Sequence, residues 1–198
     1  WQVQPSLGAP AVRPKDVLVV VDTTASQAGA PLRQARHIVT ALAAGLSADD
    51  RVSVWSLSTP AATRALTRDF QPAAAENVAE AARSLTDIEY GSGAADLKGG
   101  LEKALATMAP NRARHQVVLY LGDGESAYAR VAEADRIALG GRMDRADVYF
   151  FAVPLGLKLD AQNLHGLASL TGGDVVRLRP GEDVAQPVVG REFAARLK

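Results

Sequence analysis

The spacing of apolar residues changes along this chain, and each spacing assigns an element. Val17, Leu18, Val19, Val20 and Val21 are consecutive aliphatic residues, the pattern of a strand buried on both faces. Residues 116–121 and 147–154 carry similar runs. Residues 51–58 alternate apolar and polar instead, which predicts a second strand, broken by Thr59 and Pro60. Leu32, Ala35, Ile38, Val39, Leu42 and Leu46 recur at helical spacing, so residues 31–47 form an amphipathic helix with Pro31 in its first turn. Further helices are expected over residues 72–85, 96–108, 128–139 and 160–170, the second of them stopped by Pro110 and the last closed by Gly172 and Gly173. A last strand at 175–178 and a final helix at 181–198, with Arg191, Arg196 and Lys198 near its C-terminal end, complete the reading.

Strands that alternate with helices imply an α/β fold with a doubly wound, mostly parallel sheet. Residues 62–70 follow the second strand too closely for a helical crossover. They are therefore expected to pair antiparallel at the sheet edge. Residues 1–15 hold Pro5, Pro10 and Pro14 without periodicity and read as an extended lead-in or linker. Residues 16–198 then form a single domain.

Composition narrows the partners rather than the fold. The 198 residues include 22 Lys and Arg against 22 Asp and Glu, so no net field draws the chain to nucleic acid or to an anionic membrane. Cysteine is absent, which excludes disulfides, thiolate metal sites and cysteine nucleophiles. No apolar run approaches the ~20 residues of a membrane span. The chain opens at Trp1 with no signal-peptide pattern, and we read it as a domain cut from a longer protein.

The chemistry lies where strands end. Asp22, Thr24 and Ser26 place a carboxylate and two hydroxyls at alternate positions just after the first strand. In open α/β sheets ligands bind at that edge, and hard oxygen donors suit a hard divalent cation. Asp123 repeats the device after the fourth strand. Gly122, Gly124 and Ala127 formally satisfy a dinucleotide fingerprint. Asp123 and Glu125, however, put negative charge where a pyrophosphate must sit, and no acidic residue follows the next strand to hold a ribose. A phosphatase of the haloacid-dehalogenase type needs a second aspartate two residues after Asp22, and Thr24 stands there. His37, His115 and His165 lack metal-ligand spacing, and no serine, histidine and acid are arranged as a triad.

Four features together resemble a von Willebrand factor A-type domain: Asp22, Thr24 and Ser26 after the first strand; the short antiparallel edge strand; Asp123-Gly124; and Leu170 to Gly173 before the last strand. The resemblance covers residues 16–198. It implies a six-stranded Rossmann-like sheet of order 3-2-1-4-5-6 with strand 3 antiparallel and helices on both sides. It also implies a non-enzymatic, adhesion-type interaction module whose metal-ion-dependent adhesion site holds Mg²⁺ or Mn²⁺ at the sheet top, where an acidic side chain of a protein partner completes the coordination. The metal residues carried over are Asp22, Thr24, Ser26 and Asp123. The family's second-loop threonine is replaced by Ala95, which weakens metal binding and leaves Ser92 or water to substitute. A metal-free structural domain that packs within its parent protein is the alternative, and an extracytoplasmic or cell-surface location of bacterial type fits the resemblance.

Overall fold

The computed structural model describes residues 13–85 and 93–178. Strand β1 (Lys15–Asp22) is buried along its whole length. It lies between β2 (Arg51–Leu57) and β5 (His115–Gly122), parallel to both, and β5 pairs in parallel with β6 (Val148–Pro154). Two short antiparallel strands, β3 (Arg64–Ala65) and β4 (Gln71–Pro72), pair with β2 at the edge. The sheet order is β3-β2-β1-β5-β6, with β4 also on β2.

Period-2 geometry divides β1 between two cores. Val17, Val19 and Val21 belong to the cluster with Leu32, Ile38, Val39 and Leu42 of α1 (Ala30–Gly45) and Val78 and Ala82 of α2 (Glu76–Ser84). Leu18 and Val20 belong to the other cluster, with Leu97 and Leu101 of α3 (Leu97–Leu105), Leu139 and Met143 of α4 (Glu133–Arg145), and Leu164 and Leu167 of α5 (Ala161–Thr171). A strand that is apolar at every position is what a three-layer arrangement requires. Full burial of each such side chain contributes roughly 1.5–3 kcal/mol.

Several elements differ from the sequence expectations for local reasons. The edge strand predicted over residues 62–70 is reduced to β3, with β4 following just beyond that range, because Thr67 folds inward. Its Oγ1 accepts the Val54 N–H at 3.0 Å and lies 3.2 Å from Ser53 Oγ, occupying the place of a ladder partner. The helix predicted from residue 128 begins at Glu133: Tyr128 N–H is drawn to the Ala95 carbonyl at 2.9 Å and Ser126 Oγ to the Ala129 carbonyl at 2.6 Å. Pro72, placed in a helix by its alanine-rich context, sits in β4 instead. The strand expected at 175–178 contributes a single parallel bridge, Ala152 to Val175. The helix expected at 181–198 lies outside the described residues.

Carboxylate side chains cap the first turns of two helices, and the expected glycine closes one of them. Asp96 Oδ1 accepts from Gly99 N–H at 3.1 Å and Asp160 Oδ1 from Asn163 N–H at 2.9 Å. Gly172 ends α5 in the left-handed region at φ 70°.

At the opposite edge of the sheet from the oxygen cluster, Asp16 is clamped by Arg51, at 2.8 and 2.7 Å, and by Arg114 at 2.5 Å. Lys15 N–H donates to Asp50 Oδ1 at 2.7 Å beside them. This end fixes the start of β1.

Candidate metal centre

The parallel register of β1 and β5 sets Val21 opposite Leu121, so Asp22 and Asp123 leave the sheet side by side. Gly122 is required between them: a Cβ there would lie 2.5 Å from Asp22 Cβ and 2.6 Å from the Tyr120 hydroxyl. From Asp22 the chain turns into a short 3-10 segment, Ala25–Gln27, before α1.

Asp22 Oδ1 accepts both the backbone N–H of Thr24 at 2.9 Å and its hydroxyl at 2.6 Å. Ser26 Oγ donates to Asp123 Oδ2 at 2.7 Å, the bond that joins the two strand ends. Asp123 Oδ1 accepts the Glu125 N–H at 2.9 Å. The Thr24 and Ser26 hydroxyl oxygens stand 3.1 Å apart. Each hydroxyl has one hydrogen, and the shorter contacts assign it to a carboxylate, which leaves lone pairs on both oxygens. Thr24, Ser26, Asp123 and Glu125 line a cavity of about 200 Å³ together with Gly93, Ala94 and Ala95. Asp22 is not in the wall. It is buried beneath, only 1% exposed, and reaches the cavity through Thr24.

The electrostatics ask for positive charge. Among the described residues, neither Asp22 nor Asp123 forms an ion pair. Burial pushes the Asp22 carboxyl up to about 6, and the nearby Asp123 charge adds to the rise, while hydrogen bonds from Thr24 and Tyr120 restrain it. The donor set fits a small hard cation. Two hydroxyls 3.1 Å apart match the roughly 2.9–3.0 Å that separates neighbouring ligands in an octahedron with Mg–O bonds of about 2.1 Å. Among the described residues no three acidic or imidazole groups gather to hold a metal by themselves. Any cation here therefore depends on the hydroxyls.

The four oxygen-bearing residues singled out in the sequence thus converge. Ala95 also lines this cavity, is itself buried against one of the two cores, and its carbonyl accepts from Tyr128 N–H. Ser92 is outside the described residues. Sequence reasoning missed two members of the site. Tyr120 Oη donates to Asp22 Oδ2 at 3.1 Å, and Gln27 Nε2 donates to Asp123 Oδ2 at 2.8 Å. The available signal was a tyrosine in an otherwise aliphatic strand, two residues before the strand ends.

A sequence profile of the von Willebrand factor type A domain matches residues 15–176. No curated protein matches the chain. Solved structures share the fold at low identity. The von Willebrand factor type A protein from Catenulispora acidiphila superposes with a TM-score of 0.75 at 15% identity, over 93% of this chain and 43% of that one. Proximal thread matrix protein 1 of the mussel byssus, with a zinc-occupied MIDAS motif, gives 0.68 at 14%, over 93% and 48%. Manganese-loaded TRAP protein of Plasmodium vivax gives 0.59 at 15%, over 86% and 65%.

Proposed function

The chain belongs to the von Willebrand factor type A family, and from that premise we propose that it is a non-enzymatic protein-interaction module. Its partner binds at the sheet top through a divalent cation, Mg²⁺ or Mn²⁺, held by Thr24, Ser26 and Asp123 directly and by Asp22 through Thr24. The observation that carries this reading is that Thr24, Ser26 and Asp123 line one cavity with Asp22 beneath Thr24, neither aspartate being ion-paired among the described residues, and that a 2.7 Å bond joins Ser26 to Asp123. Relatives whose structures contain manganese or a zinc-occupied MIDAS motif support it.

The residues divide the work by their chemistry. Thr24 and Ser26 present lone pairs while their hydrogens stay on the carboxylates. Asp123 supplies charge at the wall and Asp22 supplies it from below. A bound cation would offer an open coordination position to an anionic oxygen, which is why a partner with an accessible carboxylate is the expected ligand. Ala95 supplies no side-chain oxygen, so water completes the sphere there and affinity is modest.

One observation favours a second reading. Each hydroxyl and carboxylate in the site already has a hydrogen-bond partner, and no buried side-chain polar atom among the described residues lacks one. Such a site can persist without metal, as a structural domain packed within a larger protein. Titration calorimetry with Mg²⁺ and Mn²⁺ on the wild type, Asp22→Ala and Ser26→Ala separates the two. The cation reading expects heat for the wild type that both substitutions remove. No heat for any of the three would leave only the structural reading.

A further inference from the structure

Each carboxylate oxygen offers two lone pairs, so the acceptors of the site can be counted one by one. Asp22 Oδ1 is filled by the amide and hydroxyl of Thr24, and Asp123 Oδ2 by Ser26 Oγ and Gln27 Nε2. Asp22 Oδ2 accepts from Tyr120 and Asp123 Oδ1 from the Glu125 amide. One lone pair remains on each carboxylate. Two of these donors, Tyr120 and Gln27, come from side chains that do not line the cavity, and both are almost fully buried, at 0% and 1% exposure. A phenol and a carboxamide in such surroundings cost stability unless they are paired. Here each donates to one of the two acids.

Each also ties loops together. Tyr120 Oη accepts the Gly124 N–H at 3.2 Å, so one phenol holds the loop after β1 to the loop after β5. The Gln27 amide reaches Asp123 at 2.8 Å and leans on the Leu155 carbonyl, beyond β6, at 3.4 Å. Gly156 packs against the same carboxamide: a Cβ there would lie 3.2 Å from Nε2. Three strand ends are therefore joined through these two side chains.

We propose that Gln27 and Tyr120 are positioning residues of the cation site. From behind, they take up acceptor capacity on Asp123 and Asp22, so the oxygens keep their facing arrangement before a cation arrives. Gln27 loads the same Asp123 oxygen that already takes the Ser26 hydrogen, which leaves Oδ1 as the oxygen with capacity to spare. Tyr120 instead takes one of the two acceptor positions on Asp22 Oδ2, the oxygen that Thr24 leaves open. The assignment rests on the cation reading above.

The test is an Mn²⁺ titration followed by electron paramagnetic resonance on the whole chain, comparing the wild type with Gln27→Met and Tyr120→Phe. The first keeps side-chain length and loses the N–H. The second keeps the ring, which stacks on Phe150 with centroids 6.3 Å apart, and loses only the hydroxyl. Outer hydrogen bonds of this kind change metal affinity about 10- to 100-fold, so each variant is expected to bind Mn²⁺ about tenfold more weakly or worse. Melting curves in chelator are the control for structure. Lower melting temperatures with unchanged Mn²⁺ affinity would overturn the assignment and leave both residues as packing groups. If one variant fails to fold by circular dichroism, the other decides. Binding by the wild type and both variants alike overturns this assignment alone. No binding by the wild type overturns the cation reading, and the assignment with it.

Discussion

Asp22→Asn in chelator should stabilise this protein at neutral pH. Asp22 is 1% exposed and has no ion-pair partner among the described residues, and burial lifts its carboxyl from 3.8 to about 6. The raised folded value means that the native state holds its proton more tightly than the unfolded chain. That contribution is fully present below about pH 4 and is lost as the pH rises through about 6. A shift of about two units corresponds to roughly 3 kcal/mol at neutral pH. Asparagine keeps an oxygen for the Thr24 N–H and hydroxyl without the charge. For a chain of this size each 1 kcal/mol moves the melting point by about 2–4 °C. The variant should therefore melt several degrees above the wild type at about pH 7, and the gap should close toward about pH 4, where the native aspartate is neutral. Adding Mn²⁺ should raise the wild type alone. A variant less stable than the wild type by the same margin at every pH would refute the reasoning, because the charged carboxylate would then be a net structural support.

Three further outcomes follow from the geometry. Ala95→Thr places a hydroxyl on the bare wall of the cavity and should tighten Mn²⁺ binding about tenfold by calorimetry, at a packing cost within about 1–3 kcal/mol because Ala95 is only 4% exposed. Gly122→Ala drives a methyl into Asp22 and Tyr120; it should lower stability by about 2 kcal/mol or more in denaturant titrations and abolish Mn²⁺ binding. Asp16→Ala strands Arg51 and Arg114 at the other end of β1. It should cost about 2–4 kcal/mol, less than a fully buried pair because Arg51 is partly exposed, and leave Mn²⁺ affinity unchanged.

The frame of this fold was legible because long-period signals report burial. Five consecutive aliphatic residues in β1 could only belong between two layers of helices, and the oxygens at 22, 24, 26 and 123 could be placed at one edge from strand direction alone. Thr67 shows where that legibility ends. Its period agreed with a continuous edge strand, yet its hydroxyl replaces a ladder partner of Val54, a choice made by one side chain in three dimensions. The start of α4 was misplaced for a similar reason, since Tyr128 N–H is claimed by the distant Ala95 carbonyl. Tyr120 and Gln27 went unread in the site because an amphipathic group in a strand or short helical turn is ordinarily core. Their role depends on which carboxylate lies within 3.1 Å, and no sequence period encodes that.

The central claim is that a divalent cation sits between the ends of β1 and β5. A crystal soaked in Mn²⁺ and measured at the manganese edge tests it most directly. One anomalous peak is expected in the cavity, at about 2.1–2.3 Å from the hydroxyl oxygens of Thr24 and Ser26 and bonded to Asp123 directly or through water. Absence of a peak at saturating Mn²⁺, with the Ser26 to Asp123 bond unchanged, would contradict it.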